Sequence, residues 1–129
     1  MNLEFDPSHV LEPAEDELAR ARWKRGDAAG ADEMYRRMIG KPAHARNPRV
    51  WLDAGRLSDE LGRLGEACGR LRRAKALAAS PLQREEADAA LALVLMHRGA
   101  FVEAGRAWWR IARTGIDRTR GFAGLAVCA

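Results

Sequence analysis

Three glycines, Gly26, Gly62 and Gly99, stand 36 and 37 residues apart in this chain of 129, and the residues around them keep one register. Five positions after each glycine is an alanine: Ala31, Ala67 and Ala104. Nine positions after is a large side chain (Tyr35, Leu71, Trp108), and twelve after are Met38, Ala74 and Ile111. Eight before stand Leu18, Ala54 and Leu91, and seven before stand Ala19, Gly55 and Ala92. Such spacing predicts two helices on either side of each glycine, folded back on each other. Helices approach closely only where small side chains meet, and the larger residues a turn along fill the space beside the contact. A glycine after the first helix takes the left-handed backbone conformation at least cost. Repetition at this period predicts hairpins stacked on one another, because one such unit cannot bury its apolar face alone.

In chain order, residues 1–12 show no helical periodicity and read as a flexible N-terminal arm with Phe5, Val10 and Leu11 as docking residues. Residues 13–129 read as a single domain. Its repeats are expected at about 13–40, 48–79 and 81–114, followed by a terminal helix at 119–128. Pro13 and the acids Glu15, Asp16 and Glu17 suit a helix N-terminus. Gly40 is expected to stop the second helix, and Lys41 to Pro48 reads as a linker. Ser80 with Gln83 reads as a capping box at the start of the third repeat. The terminal helix is expected either to fold its apolar side onto the third hairpin or to leave an edge for a second copy of the chain, giving a homodimer. Scarce isoleucine, valine and threonine argue against a sheet. The absence of a long apolar run and of a basic-then-apolar leader predicts a cytoplasmic protein without membrane insertion. Cys68 and Cys128 fit no metal or disulfide spacing, and Cys68 is expected to be a buried thiol.

These segments resemble tetratricopeptide repeats, whose units pair a Trp/Leu/Gly/Tyr helix with an Ala/Phe/Ala helix ahead of a proline. The middle unit carries Trp51, Gly55, Gly62, Glu66, Ala67, Leu71, Ala74 and Pro81, with Ser58 where a tyrosine is usual. The third carries Leu91, Ala92, Leu95, Gly99, Phe101, Glu103, Ala104 and Trp108. In the first, Arg22 and Glu15 replace the tyrosine and tryptophan. The resemblance spans about Pro13 to Ile116 and implies an all-α helical-hairpin solenoid, a right-handed superhelix of three hairpins plus a C-terminal helix.

It also implies a concave groove, lined by the first helix of each hairpin, that receives a peptide of another protein. The groove-facing residues are then Arg20, Trp23 and Lys24 in the first repeat. In the second they are Leu52, Asp53, Arg56, Asp59 and Glu60, and in the third Ala89, Leu93, Met96 and His97. Trp23 beside Arg20 and Met96 beside Leu93 would suit a mixed peptide with one apolar anchor. Since helix neighbours cannot face one core, Trp108 is expected inside and Trp109 partly exposed.

Charge bears on the partner. Residues 1–33 carry a net charge of −5 and residues 34–129 one of +9, with Arg70, Arg72, Arg73 and Lys75 clustered on one helix and Arg106, Arg110, Arg113, Arg118 and Arg120 beyond it. Such a surface attracts acidic peptides, nucleic acid or anionic lipid, or is a solvated helix face. The sequence therefore predicts a non-enzymatic scaffold or interaction module, with a secretion- or assembly-type chaperone holding an apolar segment, or a basic helical nucleic-acid-associated protein, as the alternatives. No cofactor, metal or catalytic residue is expected: His9, His44 and His97 have no acid or cysteine at ligand or triad spacing. Glu85, Glu86 and Asp88 read as acids in the first turns of a helix, favoured there by its dipole.

Overall fold

The structure, a computed structural model, describes residues 14–114 and 118–128; the N-terminal arm lies outside them. Among the described residues all regular structure is helical. The helices are α1 (Glu15–Lys24), α2 (Ala28–Ile39), α3 (Pro42–Ala45), α4 (Pro48–Glu60), α5 (Leu64–Leu77), α6 (Pro81–His97), α7 (Phe101–Thr114) and α8 (Arg118–Cys128). None is long and apolar enough to cross a membrane. Helix α1 packs on α2, α4 on α5, and α6 on α7. In addition α2 touches α4, α5 touches α6, α4 touches α6, and α7 carries α8.

Each hairpin turns on one of the three glycines. Gly26, Gly62 and Gly99 have φ of 91°, 76° and 78°, the left-handed values that disfavour a Cβ. At each turn the glycine N–H bonds the carbonyl three residues back (Trp23, Asp59, Met96; 2.9–3.0 Å). The next N–H bonds the carbonyl five back (Arg22, Ser58, Leu95; 2.8–3.0 Å). That pair of bonds occupies carbonyls the helix end leaves open. Asp27 then caps α2 by accepting from the Gly30 N–H at 2.9 Å.

The predicted register is the core. Ala31, Ala67 and Ala104 are fully buried, as are Tyr35, Met38 and Leu71, with Trp108, Ala74 and Ile111 nearly so. A Cβ placed on Gly55 would meet the Leu71 side chain at 2.6 Å, so α4 and α5 approach to a distance only glycine permits. Leu18 departs from the expectation. It is 43 % exposed, because α1 is the first described helix and no other described helix covers that register.

Buried residues divide into two clusters. Tyr35, Met38, Val50, Ala54 and Leu57 belong to one. Leu52, Leu71, Leu91, Leu95, Trp108 and Ile111 belong to the other. Helix α4 contributes to both, so it is buried on opposite sides.

The linker after Gly40 differs from expectation. Gly40 ends α2 at φ −74°, in ordinary helical conformation, and the next residues form the single turn of α3. The Trp51 indole donates to the Ala45 carbonyl at 2.8 Å, fixing that turn against α4. At the start of α6, Ser80 accepts from the Gln83 N–H at 3.1 Å as expected, while Gln83 reaches one residue further, to the Ala79 N–H at 2.8 Å.

Helix α8 lies on α7 through Gly121 and Gly124, which are buried; a Cβ on the first would strike the Ala112 backbone and on the second the Trp108 ring. Phe122 and Val127 on the same helix stay exposed. The helix thus folds onto the third hairpin, the first of the two expected arrangements, with Phe122 and Val127 on its outer side. Trp109 is half exposed, with the Arg113 guanidinium over its ring.

Candidate functional site

The first helices of the three hairpins place several predicted residues together and turn others away. Arg56 and Asp59 of α4 and Leu93 of α6 line one small recess of about 110 Å³, whose base is Leu71, Val94 and Trp108 and whose far side is Arg120 of α8. Leu93 is 47 % exposed, an apolar side chain beside two charges. Ala89 lies in the same recess, at its wall.

Polar contacts tie this face across the hairpins. The Trp23 indole N–H donates to Glu60, joining α1 to α4. His97 Nδ1 lies 2.9 Å from Asp59 Oδ1, joining α4 to α6. Arg20 pairs with Asp16 at 3.6 Å, and Lys24 is exposed on the last turn of α1. Trp23, Glu60, Asp59 and His97 therefore hold neighbouring first helices together as well as facing outward.

Three predicted residues take other places. Leu52 is not on the groove; it is 4 % exposed inside the larger core cluster, because α4 packs against α6 as well as α2. Met96 turns inward, where its sulfur accepts from the Trp108 indole at 3.3 Å, whereas Leu93 of the expected pair stays exposed. Asp53 is buried, paired with Arg49 at 3.3 Å. Burial, reinforced by the charge of Asp16, raises its carboxyl above the usual range, and Arg49, Arg20 and Arg56 offset this only in part. Tyr35 stands in the same polar neighbourhood, donating to Asp16 at 3.2 Å; burial and the charges of Asp53 and Asp16 raise its phenol, which stays protonated.

Sequence reasoning also misassigned Arg70 and the acids of α6. Arg70 is not part of a solvated basic cluster. Its guanidinium is buried, and Nη1 donates to Asp32 (2.8 Å), Ser58 Oγ (2.7 Å) and the Ala54 carbonyl (3.1 Å) while Nη2 pairs with Glu66 at 3.0 Å. Ser58, the residue standing where a tyrosine is usual in the resembling repeats, is thus an acceptor in a buried network. Asp32 further receives Arg36 at 2.9 Å and Arg63 at 2.8 Å. Burial would raise the Asp32 carboxyl, but the hydrogen bonds from Arg70 and Arg36 outweigh it and hold it below the usual range. Asp88 is likewise buried, held between Lys75 at 3.1 Å and Arg110 at 3.0 Å, and Glu86 faces Arg49 at 3.7 Å. These acids belong to interhelical ion pairs beyond the first turn of α6. The missing signal was three-dimensional: nothing in the spacing says which face of α6 meets α5 and α7.

No protein-family model and no curated protein sequence matches this chain.

Proposed function

We propose that the chain is a repeat module of the tetratricopeptide kind, its three hairpins stacked as a right-handed solenoid, which binds another protein along the face shared by α1, α4 and α6. The recess of Arg56, Asp59 and Leu93 carries this reading. It offers an exposed apolar side chain flanked by the cations Arg56 and Arg120 and the anion Asp59, with its helices joined to their neighbours by the Trp23–Glu60 and Asp59–His97 contacts. A partner segment with one apolar anchor and charged flanks complements it, and apolar anchors ringed by polar contacts concentrate binding energy. The glycine turns and the small-residue register at Ala19, Gly55 and Ala92 favour the repeat reading, because they recur where such repeats need close helix contact.

The test is the double variant Arg56→Glu with Leu93→Asp. Both side chains are at the surface, so the fold is expected to be kept. Lysate of the source cell, with and without nuclease treatment, is passed over immobilised wild type and variant, and retained proteins are compared by mass spectrometry. Loss of the specifically retained proteins from the variant is the expected result. An unchanged set overturns the assignment, and retention abolished by nuclease alone favours nucleic acid.

A further inference from the structure

A second concavity lies on the other side of α6. Positions 84, 88, 91 and 95 form one stripe of that helix, and 89 and 93 face away from it. The stripe meets α5 and α7 around a cavity of about 720 Å³, to which Arg72 and Lys75 come from α5, Arg84 from α6, and Arg106 and Arg110 from α7. Its floor is apolar, formed by Leu91 and Leu95. Glu103 is the acid on this lining, 3.8 Å from Arg72.

The cations are not equivalent. Buried Asp88, in an adjoining recess of about 190 Å³, receives Lys75 at 3.1 Å and two hydrogen bonds from Arg110, at 3.0 and 3.2 Å. That carboxylate fixes both side chains across three helices. Arg84 and Arg106 are exposed, and their guanidinium groups make no ion pair or hydrogen bond among the described residues. Of the five cations, all on helices, two are positioned by Asp88, Arg72 faces Glu103, and the guanidinium groups of Arg84 and Arg106 are uncompensated.

We propose that this cavity binds a small organic molecule carrying two or more linked phosphate groups. Planar guanidinium groups match phosphate oxygens two at a time, which an ammonium cannot do. Cations from three separate helices suit more than one anionic group. The volume falls within the range of small-molecule sites, and Leu91 and Leu95 give the organic part an apolar surface. This site is separate from the protein-binding face, so either can fail without the other.

The test is isothermal titration of tripolyphosphate and of ATP into three proteins: the wild type, Arg84→Gln with Arg106→Gln, and Arg22→Gln with Arg37→Gln. The last pair removes the same charge from the first hairpin. Expected is one ligand per chain, with affinity reduced by about tenfold or more in the cavity variant and by less than about twofold in the control. No saturable binding of either probe overturns the proposal, as does an equal loss in both variants, which means diffuse attraction. Tighter binding of polyglutamate or of a single-stranded oligonucleotide, lost in the cavity variant, also overturns it and assigns the cavity to a macromolecule.

Discussion

Asp32 and Asp53 are both buried carboxylates on facing elements, and their surroundings push them in opposite directions. Asp32 takes three arginines and is held below the usual range, so it stabilises the fold above the unfolded carboxyl pKa of about 4, and this contribution is lost as the pH falls through its folded value. Asp53 has its folded value raised by burial, so the sign reverses. The folded state favours the protonated acid, and stability present below the unfolded value is lost as the pH rises through the folded one. Asp32→Asn is therefore expected to destabilise by about 2 kcal/mol at pH 7. Asp53→Asn is expected to be neutral or stabilising at the same pH, and both differences shrink below the usual carboxyl range. Thermal melts of the two variants at neutral and acid pH check this. A loss of the same size in both at pH 7 would show that the two environments do not differ.

Gly55 shows how much of the pairing between helices was legible in the sequence. Small residues at one fixed distance before each turn glycine announced a close approach, and Gly55 meets Leu71 where the register placed them. Gly65 of α5 is also helical, but a Cβ there meets nothing within 4 Å. Gly55→Ala is expected to cost about 1–3 kcal/mol by overpacking. Gly65→Ala is expected to gain about 0.5–1 kcal/mol by removing glycine's unfolded freedom. Urea unfolding of the pair measures this directly, and a gain in both would remove the close contact from the account. Other features were not legible. Leu18 holds the right register with no neighbour to bury it among the described residues, Leu52 sits on a helix buried on two sides, and α3 occupies what reads as a linker. Repetition reveals which residues face a partner helix; it does not reveal how many partners a helix has. The same limit hid the inward turn of Met96 and left Leu93 indistinguishable from it in the sequence.

Across the whole molecule, two core clusters meet at α4, and the Arg70 network ties the first hairpin to the rest. Replacing Arg70 by methionine leaves Asp32 with exposed partners only, at a cost of about 3 kcal/mol. The loss is expected to fall on the junction, so that α1 and α2 exchange amide hydrogens sooner than α5 to α7; uniform acceleration along the chain would contradict a two-core molecule. The proposed binding face draws on the same organisation, because Trp23, Glu60, Asp59 and His97 join the first helices of successive hairpins. Hydrogen exchange of the chain, free and with a protein it retains from lysate, tests that face most directly. The account expects slowed exchange in α4 and α6 around Arg56, Asp59 and Leu93, with α7 unchanged. Protection confined to α7 and α8, or to none of these helices, would contradict it.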